Sequence, residues 1–312
     1  MEQKQLLTNS GLKSTMSQWD GKSKGTVLGY KIFVFFIKKI GIKSAYFILY
    51  FVASYYFVFL KKSNKAIFYY FKERLGYSYF KSKRMVFRSY YTFGQVILDK
   101  ISISAGLRNK FTYEFDGIEI LKKLLAEKKG GILISAHIGN FEIAEHFFGE
   151  IDIDFQINLV TTDLEHSAIK NYLEKITQKP SVKFILIKDD MSHIFEISAA
   201  LGRNELICFT GDRYFKGVKS LPERLLGQEA QFPAGPFLIA SRLKVPVVFV
   251  YVMKEINLHY HLYTKEAQIK HRDEKGLLKA YAESVESMLK KYPLQWFNYF
   301  DFWDQLENQA KK

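Results

Sequence analysis

Two residues whose types and spacing suit proton-transfer chemistry are His137 and Glu142. The histidine directly follows the apolar run 132–136, and the pair Gly139-Asn140 precedes the glutamate. The run is typical of a buried strand, and the glycine-asparagine pair indicates a turn into a helix. A histidine at the carboxyl end of a strand lies where open α/β sheets bind ligands. A carboxylate one helical turn later can fix the tautomer of the ring, so we interpret His137 as a general base and Glu142 as its orienter.

Strand-like and helix-like segments alternate through the rest of the sequence. We predict strands near 132–136, 155–161, 183–187, 205–210 and 246–252, and helices near 118–128, 139–149, 164–177, 190–202, 234–243 and 273–291. The alternating segment 258–263 predicts an edge or antiparallel strand. Together these elements predict an α/β fold with a mixed, mostly parallel sheet flanked by helices.

The positive charge is concentrated in the first third of the chain. Residues 1–112 hold 20 Lys and Arg against 4 Asp and Glu, whereas the rest hold 26 against 28. The stretch 30–93 also carries 23 of the 51 aromatic residues. Cations interleaved with aromatic rings suit a surface that faces anionic lipid headgroups. Nucleic acid also binds such surfaces, but no nucleic-acid-binding motif accompanies them, so we expect no nucleic-acid partner.

Residues 44–60 carry no charge and have lysines on both sides. Seventeen residues are at the lower limit for a spanning helix, and lysines on both flanks indicate no orientation. We interpret the segment as a membrane-inserted or membrane-surface helix, with spanning and re-entrant arrangements both open. The alternative is an aromatic helix packed on the rest of the protein.

These patterns divide the chain into four parts. We predict a polar leader at 1–25, a basic, aromatic, membrane-docking helical region at 26–112, an α/β domain at 113–305 and a polar tail at 306–312. The leader has no signal-peptide pattern, so the expected location is the cytoplasmic membrane, with the α/β domain on its cytoplasmic side. The single cysteine, Cys208, lies in a predicted strand and excludes an internal disulfide.

The string His-Ile-Gly-Asn-Phe-Glu at 137–142 resembles the His-x-Gly-Asn-Trp-Glu motif of bacterial lipid A (late) acyltransferases, within the glycerolipid acyltransferase superfamily. The string Thr-Gly-Asp-Arg at 210–213 is similar to the acidic second block of that family, and 232–237 with 245–248 to its third and fourth blocks. The ending Tyr-Pro-Leu-Gln-Trp at 292–296 resembles that of the lipid A branch, so the likeness covers about 25–303. Related glycerol-phosphate acyltransferases carry Glu where Ala234 stands, a difference that favours the lipid A-like branch.

The resemblance implies acyl transfer from an acyl carrier protein thioester, or acyl-CoA, to a hydroxyl or amine of a lipid or glycolipid. It implies no metal and no cofactor. Carrier proteins are acidic, which suits the basic N-terminal region. Under this reading His137 takes the acceptor proton and Glu142 holds the ring. The predicted substrate-binding residues are Gly139 and Asn140, whose amides would face the oxyanion, Arg213, which would bind a phosphate, and Asp212, Pro233 and Gly235.

Several alternatives stay open at this point. The acceptor could be an amino-acid lipid, a lysophospholipid or a pigment alcohol, and a hydrolase would use the same histidine to activate water. A non-catalytic, membrane-bound binding protein is a third reading. A metal site is disfavoured: Glu142 and His146 share a helical face near His137, but the zinc-hydrolase motif His-Glu-x-x-His is absent. His259 and His261 point the same way on a strand without a third ligand.

Overall fold

The computed structural model describes residues 27–144, 146, 155–161, 182–188, 190–213, 218–268 and 270–303, with side chains from residue 33 onward and without that of Glu142. The predicted polar leader, the helix at 164–177 and the polar tail lie outside these residues. Of the helix predicted at 139–149, the described part contains a short 3-10 turn, Phe141–Ile143, followed by helical backbone at residue 144.

Four α-helices of the described chain precede the sheet, in the region predicted to be helical. They are α1 (Val27–Lys39), α2 (Ile42–Phe59), α3 (Lys61–Tyr69) and α4 (Tyr79–Ser102). Helix α2 packs along α4 because small side chains permit a close approach. A β-carbon at Gly94 of α4 would clash with the side chain of Leu49 on α2. The buried residues of α2, which include Ala45 and Ala53, recur at helical spacing and face α4.

The rest of the described chain forms nine strands and four more helices. The strands are β1 (Thr112–Asp116), β2 (Gly131–Ser135), β3 (Ile157–Thr161), β4 (Val182–Leu186), β5 (Leu206–Thr210), β6 (Ser220–Leu225), β7 (Gln228–Pro233), β8 (Val247–Lys254) and β9 (His259–Glu266). The helices are α5 (Ile118–Ala126), α6 (Ser192–Gly202), α7 (Ala234–Arg242) and α8 (Glu274–Lys291).

Seven of these strands form one sheet in the order β1-β9-β8-β2-β5-β3-β4. Every neighbouring pair is parallel except β8 and β9, so the predicted mixed, mostly parallel sheet flanked by helices is confirmed. Strand β9 is antiparallel to β8 as predicted, but it is not an edge strand because β1 pairs with its other side. Strands β6 and β7 form a separate hairpin.

The sequence patterns did not predict β1 or the hairpin. The hairpin turn is Leu226-Gly227, and both residues have positive φ, as a tight primed turn requires. Leucine is an unusual residue for that conformation, so the Asn-Gly or Asp-Gly signal of a hairpin is missing. Strand β1 alternates between exposed polar residues and the partly buried Tyr113 and Phe115, but this pattern extends over only five residues.

A continuous hydrophobic core joins the N-terminal helices to the sheet. Met85, Val86 and Tyr90 of α4 belong to the same buried cluster as Ile132 and Ile134 of β2. All five residues of β2 are buried, which is typical of a central strand covered on both faces. The N-terminal helices and the sheet therefore share one hydrophobic core, and the predicted division of the chain near residue 112 stays a prediction.

Candidate active site

The pairing of β2 with β5 brings His137 next to Asp212. Ser135, the last residue of β2, lies opposite Thr210, the last residue of β5. The two strands are parallel, so the second residue after each strand lies at the same edge of the sheet. The amide of Gly211 donates to the carbonyl of Ser135 at 2.9 Å, which extends the pairing toward the two side chains.

The carboxylate of Asp212 is buried and accepts hydrogen bonds from three residues. Its Oδ1 accepts from Nδ1 of His137 at 2.7 Å, and the amide of His137 donates to both oxygens at 3.0 and 3.1 Å. Its Oδ2 accepts from Nε1 of Trp296 at 3.3 Å and from Nδ2 of Asn298 at 3.2 Å. Burial alone would raise the pKa of Asp212, but the charge and hydrogen bonds of His137 and the charge of Arg213 lower it to about 2.

This contact determines which nitrogen of His137 can act as a base. Asp212 is ionised at neutral pH and only accepts, so the proton of the neutral ring lies on Nδ1 and the lone pair on Nε2. The histidine side chain is 25% exposed, whereas that of Asp212 is 1% exposed. The arrangement can therefore take a proton from a ligand at Nε2 and stabilise the resulting imidazolium from the buried side.

Asp212 was predicted to bind substrate, and that contact stays a prediction; in the structure its carboxylate contacts His137. Asp212 lies behind the ring of His137 and is enclosed, so it orients the histidine. Asp212 lies two residues after β5, which pairs with β2. This position predicts its contact with His137 only when the strand order is known. Glu142 was predicted to orient His137. Its backbone lies in the turn Phe141–Ile143, and its side chain is outside the described residues.

A C-terminal segment at 295–298 completes the site, and the sequence patterns did not predict that Trp296 and Asn298 contact Asp212. The amide of Phe297 donates to the carbonyl of His137 at 3.0 Å, and the amide of Gly139 donates to the carbonyl of Gln295 at 2.9 Å. These bonds fix the segment against the residues that follow β2. The Tyr-Pro-Leu-Gln-Trp motif marked the segment, but nothing in it indicated contact with Asp212.

Arg213 lies beside the same segment. Its Nε donates to Oδ1 of Asn298 at 3.0 Å and its Nη2 to the carbonyl of Phe297 at 2.8 Å. Burial lowers the pKa of Arg213 to about 10 against the opposing charge of Asp212, so the guanidinium is a cation at neutral pH. Asn298 thus bridges the two charged groups, because its amide nitrogen donates to Asp212 and its amide oxygen accepts from Arg213.

Gly139 and Asn140 hold the catalytic loop, residues 137–140, in place. The amide of Asn140 donates to the carbonyl of Val252 at 2.7 Å, and its buried side chain donates to the carbonyl of Val96 on α4 at 3.1 Å. The amides of Gly139 and Asn140 are therefore engaged within the protein in this conformation. The structure gives both residues a positioning role, and their contact with substrate stays a prediction.

Replacing Gly139 with alanine should destabilise the fold. Gly139 has a φ of 64°, and a β-carbon there would clash with the carbonyl of Val252 and approach the sulfur of Met253 to 2.9 Å. We expect Gly139→Ala to cost about 2 kcal/mol or more, from the left-handed backbone together with the clash. Urea unfolding measures the loss. Gly202→Ala is the matched control because a β-carbon at Gly202 meets no atom within 4 Å; an equal loss in both variants would contradict the steric argument.

Pro233 and Gly235 lie at the junction of β7 and α7. Gly235 is exposed, and in the described part of the chain no hydrogen bond joins either residue to His137 or Asp212. Their helix still reaches the site indirectly, since the ring of Phe237 lies where it would contact a β-carbon on Gly211 at 3.1 Å. The predicted substrate-binding role of the two residues stays a prediction.

His259 and His261 lie on β9 and contact residues of β1. Nε2 of His261 lies 3.2 Å from Oδ2 of Asp116, and Nδ1 of His259 contacts the hydroxyl of Thr112 at 2.8 Å, across the pairing of β1 with β9. Within the residues that the structure describes, no group of three His, Cys, Asp or Glu side chains is arranged to hold a metal ion. Cys208 is buried, and burial raises the pKa of its thiol to about 12.

The fold and the site together define a class of protein: a layered α/β protein with a histidine-aspartate pair at the carboxyl edge of its parallel strands. The chain belongs to the bacterial lipid A biosynthesis acyltransferase family, whose model matches residues 22–303. Membership of this family implies an acyltransferase. A comparison with curated proteins finds none that matches this chain.

Proposed function

We propose that this protein transfers a fatty acyl chain from a thioester donor, acyl carrier protein or acyl-CoA, to a hydroxyl or amine of a lipid A-like glycolipid. His137 is the general base of the reaction. The observation that carries the proposal is the buried Asp212 carboxylate on Nδ1 of His137, in a chain that belongs to a lipid A acyltransferase family. We place the reaction at the cytoplasmic face of the cytoplasmic membrane.

The reaction needs two proton transfers, one from the acceptor to His137 and one from His137 to the leaving group. Nε2 of His137 takes the proton of the acceptor hydroxyl while the oxygen attacks the thioester carbonyl, and Asp212 stabilises the imidazolium. The tetrahedral intermediate then collapses, the carbon–sulfur bond breaks, and the imidazolium returns the proton to the departing sulfur. The acyl chain moves directly to the acceptor, so the reaction requires no covalent enzyme intermediate.

Two charged residues near the histidine have proposed roles. Arg213 carries its charge beside Asp212 and is held by Asn298 and Phe297, which suits recognition of an acceptor or donor phosphate. Glu142 follows the catalytic loop by two residues, and we propose that its charge helps to stabilise the imidazolium. Both roles depend on the side-chain charge, so neutral variants test them.

We propose that helix α2 docks the protein to an anionic membrane surface. In the described part of the chain, α2 is the one helix long and apolar enough to cross a membrane, and 22% of its residues are buried. Large apolar side chains that recur at every fourth position lie on its exposed side; this docking face consists of Phe47, Phe51, Tyr55 and Phe59. Lysines flank both ends of the helix, where they would meet lipid phosphates.

The packing of α2 favours a position along the membrane surface over a transmembrane one. Its buried side, which includes Leu49, lies against α4. The exposed ring of Tyr50 also meets α4, with its centroid 5.1 Å from that of Phe87. Exposed cations on α4, Arg84 and Arg88, are close to Phe87 in the same helix. A spanning α2 would carry these charges into the hydrocarbon region, at a cost of several kcal/mol each. A helix that lies in the interface buries its docking face and leaves the cations at the headgroups.

Introducing two negative charges into the docking face, with Phe47→Glu and Phe51→Glu, should release the protein from membranes. Each phenylalanine contributes about 1.5–3 kcal/mol when it is buried, so we expect Phe47→Glu/Phe51→Glu to weaken vesicle binding at least ~100-fold. Co-sedimentation with vesicles of anionic phospholipid measures the effect. Phe195→Glu is the matched control, because Phe195 is a highly exposed aromatic residue on α6, outside this face. Unchanged binding of the double variant, or equal loss in the control, would contradict the proposed docking face.

The experiment that tests the function is acyl transfer by the purified protein in detergent. Labelled acyl carrier protein thioester, or acyl-CoA, is incubated with a total-lipid extract, and the products are identified by mass. A labelled lipid supports the proposal, and its mass distinguishes a glycolipid from an amino-acid lipid, a lysophospholipid or a pigment ester. Labelled free fatty acid in its place would establish a hydrolase, and no turnover with either donor would favour a binding protein.

A further inference from the structure

A second buried group of polar side chains lies on the other side of the catalytic loop from Asp212. Asp99 of α4 is fully buried, and its Oδ2 lies 2.6 Å from Nζ of Lys254, whose side chain is 7% exposed. Its carboxylate also accepts from the hydroxyls of Tyr260, at 2.6 Å, and of Tyr46. Nζ of Lys254 donates to the Tyr46 hydroxyl at 3.1 Å. We call Asp99, Lys254, Tyr46 and Tyr260 the buried cluster.

Such a cluster is a poor source of stability. Removing two charges from water costs several kcal/mol for each ion, and well-packed apolar side chains are often equally stable. What the cluster does provide is a fixed geometry, because each donor has a definite acceptor. Its four members come from α2, α4, β8 and β9, so it fixes the relative positions of four elements.

The cluster reaches the catalytic loop by two paths. The hydroxyl of Tyr260 donates to Asp99 and is hydrogen-bonded by the side chain of Asn140, which also donates to the carbonyl of Val96, one turn before Asp99 on α4. On the second path, the side-chain amide of Gln295 binds the backbone of Lys254 at both its amide and its carbonyl, at 2.9 and 2.8 Å. The carbonyl of Gln295 then accepts from the amide of Gly139.

The cluster is also adjacent to the docking face, because Tyr46 and Phe47 are consecutive residues of α2 and project about 100° apart around its axis. Tyr46 points inward to Asp99, whereas Phe47, the next residue, is 69% exposed. A movement of α2 at a membrane surface would therefore displace the hydroxyl of Tyr46, which donates a hydrogen bond to Asp99. Helix α4 contributes both Asp99 and Val96, so it would carry the same shift to Asn140.

We propose that the buried cluster positions the catalytic loop and couples it to the seating of helix α2 on the membrane. This inference rests on the proposed function, in its assignments of His137 and of the docking face. The members of the cluster are positioning residues and do not touch the reacting atoms. When α2 is seated, Asp99 holds Tyr260 and Lys254, and through them Asn140 and Gln295 hold the loop that presents His137.

Tyr46→Phe is the variant that tests the coupling, since it removes one hydroxyl and leaves the ring in place. Tyr50→Phe is the matched control, because Tyr50 is 53% exposed on the same helix and belongs neither to the docking face nor to the buried cluster. We expect amide exchange of Gly139 and Asn140 to rise about tenfold in Tyr46→Phe, as the loss of a hydrogen bond to a charged acceptor would cause, and to stay unchanged in Tyr50→Phe. We also expect kcat on anionic vesicles to fall about fivefold or more, with KM and vesicle binding unchanged.

A second variant separates positioning from folding stability. Asp99→Asn/Lys254→Met removes both charges and leaves neither buried alone, so the thermal midpoint should stay close to that of the wild type while kcat falls. Equal exchange in Tyr46→Phe and Tyr50→Phe, or a double variant with wild-type kcat, would overturn the proposal. A wild-type protein that transfers no acyl chain would contradict the proposed function. The exchange comparison needs no substrate and still decides the positioning role.

Discussion

His137→Ala is expected to reduce acyl transfer to background, a loss of at least ~10²–10⁴-fold in kcat, while the protein stays folded. The acceptor hydroxyl must lose its proton as the thioester carbonyl is attacked, and Nε2 of His137 carries the lone pair that takes it. The side chain is partly exposed at the edge of the sheet, so its removal leaves no large cavity. Product formation from labelled thioester, with the thermal midpoint of the same preparation, measures both parts of the prediction.

His259→Ala is the control for this variant. His259 lies on β9 and bonds to Thr112, so it should retain full activity while it also loses an imidazole. Substantial labelled lipid from His137→Ala would exclude His137 as the base. Equal losses in both variants would indicate a general effect on the fold.

Asp212→Asn is expected to lower kcat by roughly 10²–10⁴-fold with little change in shape. An asparagine amide in this place donates a hydrogen bond to Nδ1, so the ring proton moves to Nε2 and the lone pair no longer faces the acceptor. The carboxylate also stabilises the imidazolium, and the amide does not. Steady-state kinetics should show the loss in kcat and not in KM, since Asp212 is enclosed behind the histidine.

Glu142→Gln is the informative companion to Asp212→Asn. If Asp212 is the main orienter, Glu142→Gln should lose less activity than Asp212→Asn, and the reverse order would assign that role to Glu142.

The pH dependence of folding stability is a second test of the charge of Asp212. The pKa of Asp212 is about 2 in the folded protein, below its usual value near 3.8, so its charge stabilises the fold above pH ~4 by about 2 kcal/mol. This contribution is lost as the pH falls toward 2, and the stability difference between wild type and Asp212→Asn should shrink with it.

Much of the fold was accessible from the sequence because the parallel strands are buried on both faces. Such strands form short, continuous apolar runs, and the runs at 132–136 and 205–210 match β2 and β5 within one residue. The helices at 234–243 and 273–291 were equally clear from their periodicity and match α7 and α8. His137 was a candidate from the sequence because a motif surrounds it and a strand was predicted to end just before it, as β2 does.

The partners of His137 were not accessible, since they depend on strand order. Asp212 is 75 residues from His137 along the chain and becomes its neighbour only because β5 pairs with β2. Asn298 is farther still, and its role follows from a C-terminal segment that folds back over the catalytic loop. Asp99 is one of only four acidic residues among the first 112, which makes it unusual in the sequence. Only the structure shows that its carboxylate contacts Lys254.

The way the C-terminal segment closes over the catalytic loop has a consequence for biosynthesis. The ribosome releases His137 and Asp212 long before it releases Trp296 and Asn298, which hold the Asp212 carboxylate. Contacts between residues so distant in sequence form late in folding. Nascent chains that end before Asn298 lack groups that hold the Asp212 carboxylate, so we expect acyl transfer to begin only when synthesis has passed this residue.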